Sequence, residues 1–292
     1  MILDIDPKVD YAFKYLLGRD ATRPILINVI DSVLDPAPGH RIQDLELLDP
    51  FNPKETADDK LSVLDIKARD QSGRLFNVEM QLLAIQSFPQ RILYYGTRLH
   101  QQQLHEGHDY GELKPTISIS FLNYTLFPDA PADYHLRFRL LEERKHFPLT
   151  DNLEFHLLEL TKFTKTTDEL TSDLDIWLYF LRHAATMDTD ALPAALQQHP
   201  LVPRAVKELT MITQSDIERE RYEARRKAQL DYNTGLKEAR QEEKKIGKID
   251  MIHAFERLLR LPQTPTEQLT SLTFDELARL AADLEARLMK PR

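Results

Sequence analysis

An α/β core followed by an all-helical C-terminal region is the architecture the sequence predicts. Three observations carry it: apolar periods of helix and strand alternate up to about Phe163, the strand-like runs are rich in β-branched and aromatic residues, and only helical periodicity follows. Asp6 before Pro7 reads as an N-cap and first helical position, with Val9, Ala12, Phe13, Leu16 and Leu17 at helical spacing and Gly18 as the stop. Pro24 opens a second helix that ends before the breaker cluster Asp35-Pro36-Ala37-Pro38-Gly39. The period then changes. Residues 41–48, 61–69 and 74–82 read as strands, and Asp70-Gln71-Ser72-Gly73 joins the last two as a hairpin. A helix from Ser87 to Glu106 follows, stopped by Gly107, then strands at 116–124, 134–141 and 153–160, the last two read as a pair. Beyond them come a helix carrying Trp177, a short apolar helix at 201–213, a densely charged helix at 216–248 and a two-helix tail with Thr273 and Glu276 as a capping box.

Composition bounds the chemistry. With 292 residues, 42% hydrophobic and 29% charged, the chain is long enough for a substantial core and is not compositionally disordered. Zero Cys excludes disulfides, thiolate metal sites and cysteine nucleophiles, so any metal must take oxygen or imidazole ligands, and a reducing cytoplasm is the expected location. No apolar run approaches the roughly 20 residues of a membrane span, and MILDIDPKVD has neither a basic nor an apolar leader region, so no membrane association and no export signal are expected. A net charge of -9 argues against a protein that coats nucleic acid but not against one that binds it locally. Walker loops, serine-hydrolase elbows and dinucleotide glycine patterns are absent, and the ten His show neither H-x-E nor HExxH spacing.

The hairpin carries the candidate chemistry. Alternation puts Val63, Asp65 and Lys67 on one face of its first strand, and Asn77, Glu79 and Gln81 on one face of its second. The turn sets Arg69 near Arg74 and Asp65 opposite Val78 or Glu79, and a slip of one residue decides whether the two acids meet. Two adjacent carboxylates within an apolar sheet call for a cation, and an all-oxygen site suits Mg2+ or Mn2+, the equipment for phosphodiester hydrolysis. The spacing by itself equally allows ordinary cross-strand pairs of Asp65, Lys67 and Glu79 on a solvated face.

Four blocks in order, DYAFKYLLG at 10–18, SVLDIKARDQSGRLFNVEMQ at 62–81, QRILYYGTRLHQQQLHEGHDY at 90–110 and LLELTKF at 157–163, resemble the PD-(D/E)XK-type recombination-promoting nuclease family, also labelled transposase. The resemblance covers roughly residues 4–165. It implies a restriction-endonuclease-like α/β core, a mixed central sheet flanked by helices, acting as a divalent-metal-dependent DNA endonuclease in recombination or mobile-element activity. Asp65 and Glu79 would then be the metal-binding carboxylates, with Mg2+ or Mn2+ as cofactor. The position two residues on, usually Lys in the wider superfamily, is Gln81 here; it can orient a water or donate to a phosphate oxygen but cannot be a cation or general base, and Lys67 is the expected source of the missing charge. A nuclease-fold binding or assembly protein without turnover is the competing reading, favoured by Gln81 and the net charge.

Further candidates have their own alternatives. Asp10 and Lys14 are one turn apart, either a surface pair or an accessory acid near the metal. On the helix after Ser87, Arg91, Tyr94 and Arg98, with Gln90, Gln101, Gln102 and His105, either follow a DNA backbone or stay in water while Tyr95 packs inward. Arg219, Arg221, Arg225, Arg226 and Lys227 alternate with Glu218, Glu220 and Glu223, which suits a solvated helix face. The expected organisation is a nuclease core at 1–165, a helical extension at 166–215, and the charged helix with its tail at 216–292. That last segment, too poor in apolar residues to dock on its own core, is the expected homodimer element.

Overall fold

The computed structural model describes residues 1–52, 62–130 and 133–289. Its first unit, residues 1–226, is built on a six-stranded mixed sheet. The strands are β1 (Leu45–Leu48), β4 (Ile66–Asp70), β5 (Leu75–Gln81), β6 (Thr116–Leu122), β7 (His135–Arg139) and β8 (Leu153–Glu159), in the order β1-β4-β5-β6-β8-β7. The segments β2 (Phe51–Asn52) and β3 (Ser62–Val63) form a separate two-stranded ladder. Strands β5, β6 and β8 are parallel; β4 pairs antiparallel with β5, β1 antiparallel with β4, and β7 antiparallel with β8. The helices of this unit are α1 (Asp10–Leu17), α2 (Arg23–Leu34), α3 (Phe88–Gln101), α4 (Asp173–His183), α5 (Ala194–Gln198), α6 (Val202–Gln214) and the start of α7 (Asp216–Leu258).

Alternation divides the sheet into two unlike faces. Ile66, Ala68, Phe76, Val78, Met80, Ile117, Ile119, Phe121 and Leu158 join α1, α2, α4 and α6 in one continuous apolar core, which also takes in Trp177 and so runs unbroken across residue 165. On the other face lies α3, held by two smaller clusters. Tyr95 and Leu99 pack with Leu64 and Leu75 at one end, and Phe88 and Ile92 with Leu122 and Leu157 at the other. Tyr95 is thus core, as its neighbour Leu99 suggests.

The hairpin forms for reasons visible in its turn. The buried Asp70 carboxylate accepts from the backbone N–H groups of Ser72 and Arg74, both 2.9 Å, and from Arg74 Nε at 2.6 Å. Gly73 supplies the left-handed φ of +86° that the turn needs. Arg69 consequently pairs with Leu75, one residue beyond the expected Arg74, and Ile66 pairs with Val78.

Some element boundaries differ from expectation. Asp6 starts a turn instead of the helix: its Oδ1 accepts from Lys8 N at 2.9 Å, and α1 begins at Asp10. The expected strand at 61–69 is interrupted between β3 and β4, so Asp65 sits at the break; residue 61 lies outside the described residues. Helix α3 ends at Gln101, not Glu106, because the Gln103 amide bonds both Lys114 backbone groups, at 2.9 and 3.0 Å, and draws the chain away.

The second unit, residues 227–292, has its own core of Ile249, Ile252, Leu269, Leu277, Ala281 and Leu284, from α7, α8 (Thr266–Thr270) and α9 (Phe274–Met289). The capping box forms, Thr273 N donating to Glu276 Oε2 at 2.7 Å and Glu276 N to Thr273 Oγ1 at 3.3 Å. In the charged helix, Arg221 pairs with Glu218 and Arg226 with Glu223, as a solvated face requires. The start of that helix nonetheless docks: Tyr222 is 1% exposed and its hydroxyl accepts from Asp6 N at 2.9 Å. Among the described residues no helix is long and apolar enough to cross a membrane.

Close seating of α3 depends on Gly96, where an added Cβ would lie 2.7 Å from the Phe155 ring and 3.2 Å from Ser118 Oγ. Gly96→Val should therefore overpack this layer and cost about 2 kcal/mol. Calorimetric unfolding checks this, and an unchanged melting temperature would show that α3 can lift without loss.

Candidate active site

The register of the hairpin decides where the acids fall. Continuing the Ile66 and Val78 pairing by one step sets Asp65 against Glu79. Asp65 turns its carboxylate across the strand gap, and its Oδ2 accepts from Met80 N at 3.1 Å. Glu79 is 1% exposed and lies under α3, with Asn77 Nδ2 donating to its Oε1 at 2.9 Å and Gln81 Nε2 to its Oε2 at 3.1 Å. The structure thus brings Asp65, Glu79 and Gln81 together, within the sheet interior and not at its edge.

Charge is distributed unevenly over this group. Burial pushes the Glu79 carboxyl up to about 7, with the nearby Asp65 charge adding to the rise and Asn77, Arg91 and Gln81 opposing it. Asp65 is also raised by burial, against the pull of Lys14 and the Met80 N–H. The ammonium in contact with Asp65 is that of Lys14 on α1, 3.3 Å from Oδ1 and 2.5 Å from Asp10 Oδ1. Partial burial works against that ammonium, but Asp65 and Asp10 hold its pKa above the ordinary value. Asp10 therefore forms the expected one-turn pair and, through Lys14, also borders the site.

The remaining candidates separate. Lys67 lies along the same strand face as Asn77, and its Nζ reaches Gln102 Oε1 at 3.4 Å, with burial lowering its pKa. On α3, Arg98 Nη1 donates to Tyr94 Oη at 2.9 Å; Tyr94 is exposed and Arg98 buried. Arg91 lies over the Tyr95 ring, its Cζ 5.2 Å from the centroid, and its charge is felt at Glu79. Sequence reasoning missed the contact of Lys14 with Asp65 and missed Ser120, which the parallel pairing sets beside Glu79. It also missed a polar chain on the opposite face, where His135 Nε2 and His156 Nδ1 are 2.8 Å apart and His156 Nε2 is 2.5 Å from Glu154 Oε1. Burial, with His156 and Arg137 beside it, holds His135 down to about 4, so it is neutral.

Among the described residues no cluster of three or more His, Asp or Glu forms a ready-made metal cage. What the site offers is a pair of carboxylates, one deeply buried and repelled by the other, and amide oxygens within the same group. That donor set fits a hard divalent cation that keeps several waters, Mg2+ or Mn2+, and does not fit a softer metal.

A family model described as PD-(D/E)XK nuclease family transposase matches residues 7–239. No curated protein and no solved structure matches the chain.

Because Glu79 is held above the ordinary glutamate value of 4.5, the folded chain binds a proton there that the unfolded chain has released between pH 4.5 and about 7. Its contribution to stability is therefore present below pH 4.5 and lost as pH rises through about 7. In EDTA, Glu79→Gln should be more stable than the parent chain at pH 8 by about 3 kcal/mol, with the gap closing toward pH 4.5. The flanking amides of Asn77 and Gln81 can turn to present oxygens to the new side chain. Denaturant unfolding at the two pH values checks this, and a variant less stable at pH 8 would show that the carboxylate is not disfavoured there.

Proposed function

The chain belongs to the PD-(D/E)XK nuclease family transposases, and from that premise we propose that it is a divalent-metal-dependent DNA endonuclease hydrolysing phosphodiester bonds, serving recombination or mobile-element activity. Its mixed six-stranded sheet flanked by helices, with a helical C-terminal region, is consistent with the restriction-endonuclease-like fold. The single observation carrying the proposal is the carboxylate pair, Asp65 set against a buried Glu79 by a hairpin whose turn fixes the register.

Asp65 and Glu79 would hold Mg2+ or Mn2+. Such an ion supplies charge to the scissile phosphate and makes the attacking water more acidic. The chain's own residues do the rest. Asn77 and Gln81 aim the Glu79 carboxylate by donating one hydrogen bond to each oxygen. Gln81 is partly exposed, so its amide can also hold a water or a phosphate oxygen. Lys14 brings an ammonium to the Asp65 side, the charge that position 81 lacks, and Lys67 adds a second cation further along the sheet face. This arrangement favours turnover over a binding role alone.

Nicking of supercoiled DNA in Mg2+ or Mn2+ should stop in EDTA and fall at least about a hundredfold in Asp65→Ala and Glu79→Ala, the scale for losing a group that stabilises transition-state charge. Gln81→Lys should preserve or raise the rate. Unchanged cutting in EDTA, or in both alanine variants, refutes the proposal.

Self-association belongs to the same proposal. Helix α7 exposes Ile217, Leu230, Tyr232 and Ile246 along a length otherwise dominated by charge. A two-fold dimer through this helix and the tail would bring two sites to the two strands of a duplex. Light scattering of the full chain at micromolar concentration should give the dimer mass; a monomer mass leaves single-strand nicking as the activity.

A further inference from the structure

Beside Glu79 lies a group of buried hydrogen-bond donors. Arg91 Nε, Ser120 Oγ and Tyr124 Oη are all buried and without a hydrogen-bond partner among the described residues. Arg91 forms no ion pair there either. A half-buried guanidinium whose Nε has no acceptor and a buried phenol without one are each costly. Their coincidence next to one carboxylate marks a place where an anionic oxygen belongs.

The fold explains why they meet. Parallel pairing of β5 with β6 sets Gln81 against Leu122 and Glu79 against Ser120, and Asn123 N then donates to Gln81 O at 2.8 Å. Tyr124 follows at once, so it emerges at the C-terminal end of the strand next to the acid's own. Its ring stands edge-on to Phe88, with centroids 6.4 Å apart and planes at 86°. Phe88 and Arg91 are three residues apart on α3 and share a face, so the helix that anchors the tyrosine ring also delivers the guanidinium. The Arg91 charge lowers both the Glu79 carboxyl and the Tyr124 phenol, which puts it within electrostatic reach of both. Burial nevertheless pushes the phenol up to about 12, so it remains a donor throughout the working range.

Building on the nuclease reading above, we propose that Arg91 and Tyr124 grip the non-bridging oxygens of the DNA phosphodiester presented to the Asp65 and Glu79 pair, with Ser120 as the donor beneath them. Arg91 contributes charge and a directional Nε–H; Tyr124 contributes a neutral hydroxyl held in place by the packing of its ring on Phe88. The carboxylates alone would repel the phosphate, and this pair offsets that repulsion from the α3 side.

The test uses the full chain and the variants Tyr124→Phe, which keeps the ring packed on Phe88, and Arg91→Lys, which keeps the charge but not the guanidinium fork. Three quantities are read: single-turnover nicking of supercoiled plasmid in Mn2+, affinity for a fluorescein-labelled duplex in EDTA at low salt, and Mn2+ affinity by calorimetry without DNA. Each variant should lose about tenfold in nicking and in duplex affinity, the effect of one hydrogen bond to a charged oxygen, with Mn2+ affinity unchanged. Parent-like nicking and duplex affinity in both variants, while Asp65→Ala is inactive, overturns the grip and leaves the nuclease reading intact. Mn2+ affinity that falls in step with nicking also overturns it, since the pair would then only shape the metal site. If the parent chain binds the duplex without cutting it, the binding ratios alone support or refute the grip; a parent chain that does neither sinks both readings together.

Discussion

A carboxylate taken almost wholly out of water, that of Glu79, sets the terms for the layer around it. Burying such a group is unfavourable unless it is neutralised, hydrogen-bonded or paired. Here it receives one amide hydrogen bond on each oxygen and, among the described residues, no direct ammonium, so its pKa is pushed up to about 7 instead of falling. The helix above is arranged accordingly. Two apolar clusters seat α3 at its ends, and between them runs the polar strip of Asn77, Glu79, Ser118 and Ser120, which an uninterrupted apolar contact would have excluded. Gly96 lets the helix come close enough to cover the strip, and Arg91 on the same helix sends its charge toward it.

Local chemistry made much of this legible in the sequence. Asp70, Gly73 and the alternation of apolar residues in β4 and β5 suffice to specify a hairpin, and the acids could be placed on its strands before any long-range contact was known. The break at Asp65 was not legible, because alternation continues through it and only the separate pairing of β2 with β3 reveals it. Residues that meet through parallel pairing were also hidden. Ser120 comes beside Glu79, and Tyr124 comes within the field of Arg91, only after β6 is laid beside β5 across a helical crossover. The contact between His135 and His156 likewise depends on which strands become neighbours.

The charged helix shows the same division at another scale. Its dense i,i+3 pairs mark it as solvated, and on average it is. Average composition, however, conceals an anchoring residue. Tyr222 is taken into the core of the first unit because its hydroxyl meets the backbone N–H of Asp6, in a turn that the Asp6 side chain itself stabilises. One aromatic ring with a polar tip can dock the start of a helix that is otherwise built for water.

The glutamine at position 81 follows from how the charges are shared. An ammonium at that place would sit beside Glu79 and hold it ionised. Gln81 orients the carboxylate without adding charge, and the positive charge enters from α1, where Lys14 stands between Asp10 and Asp65. That position has a consequence for exchange of partners. Were Asp65 to turn to a divalent ion, Lys14 would keep Asp10, 2.5 Å away in this structure, and neither the ammonium nor the Asp10 carboxylate would be left unpaired. The one-turn spacing of Asp10 and Lys14, in isolation an ordinary surface pair, would thereby let the site accept a cation without leaving its own lysine uncompensated.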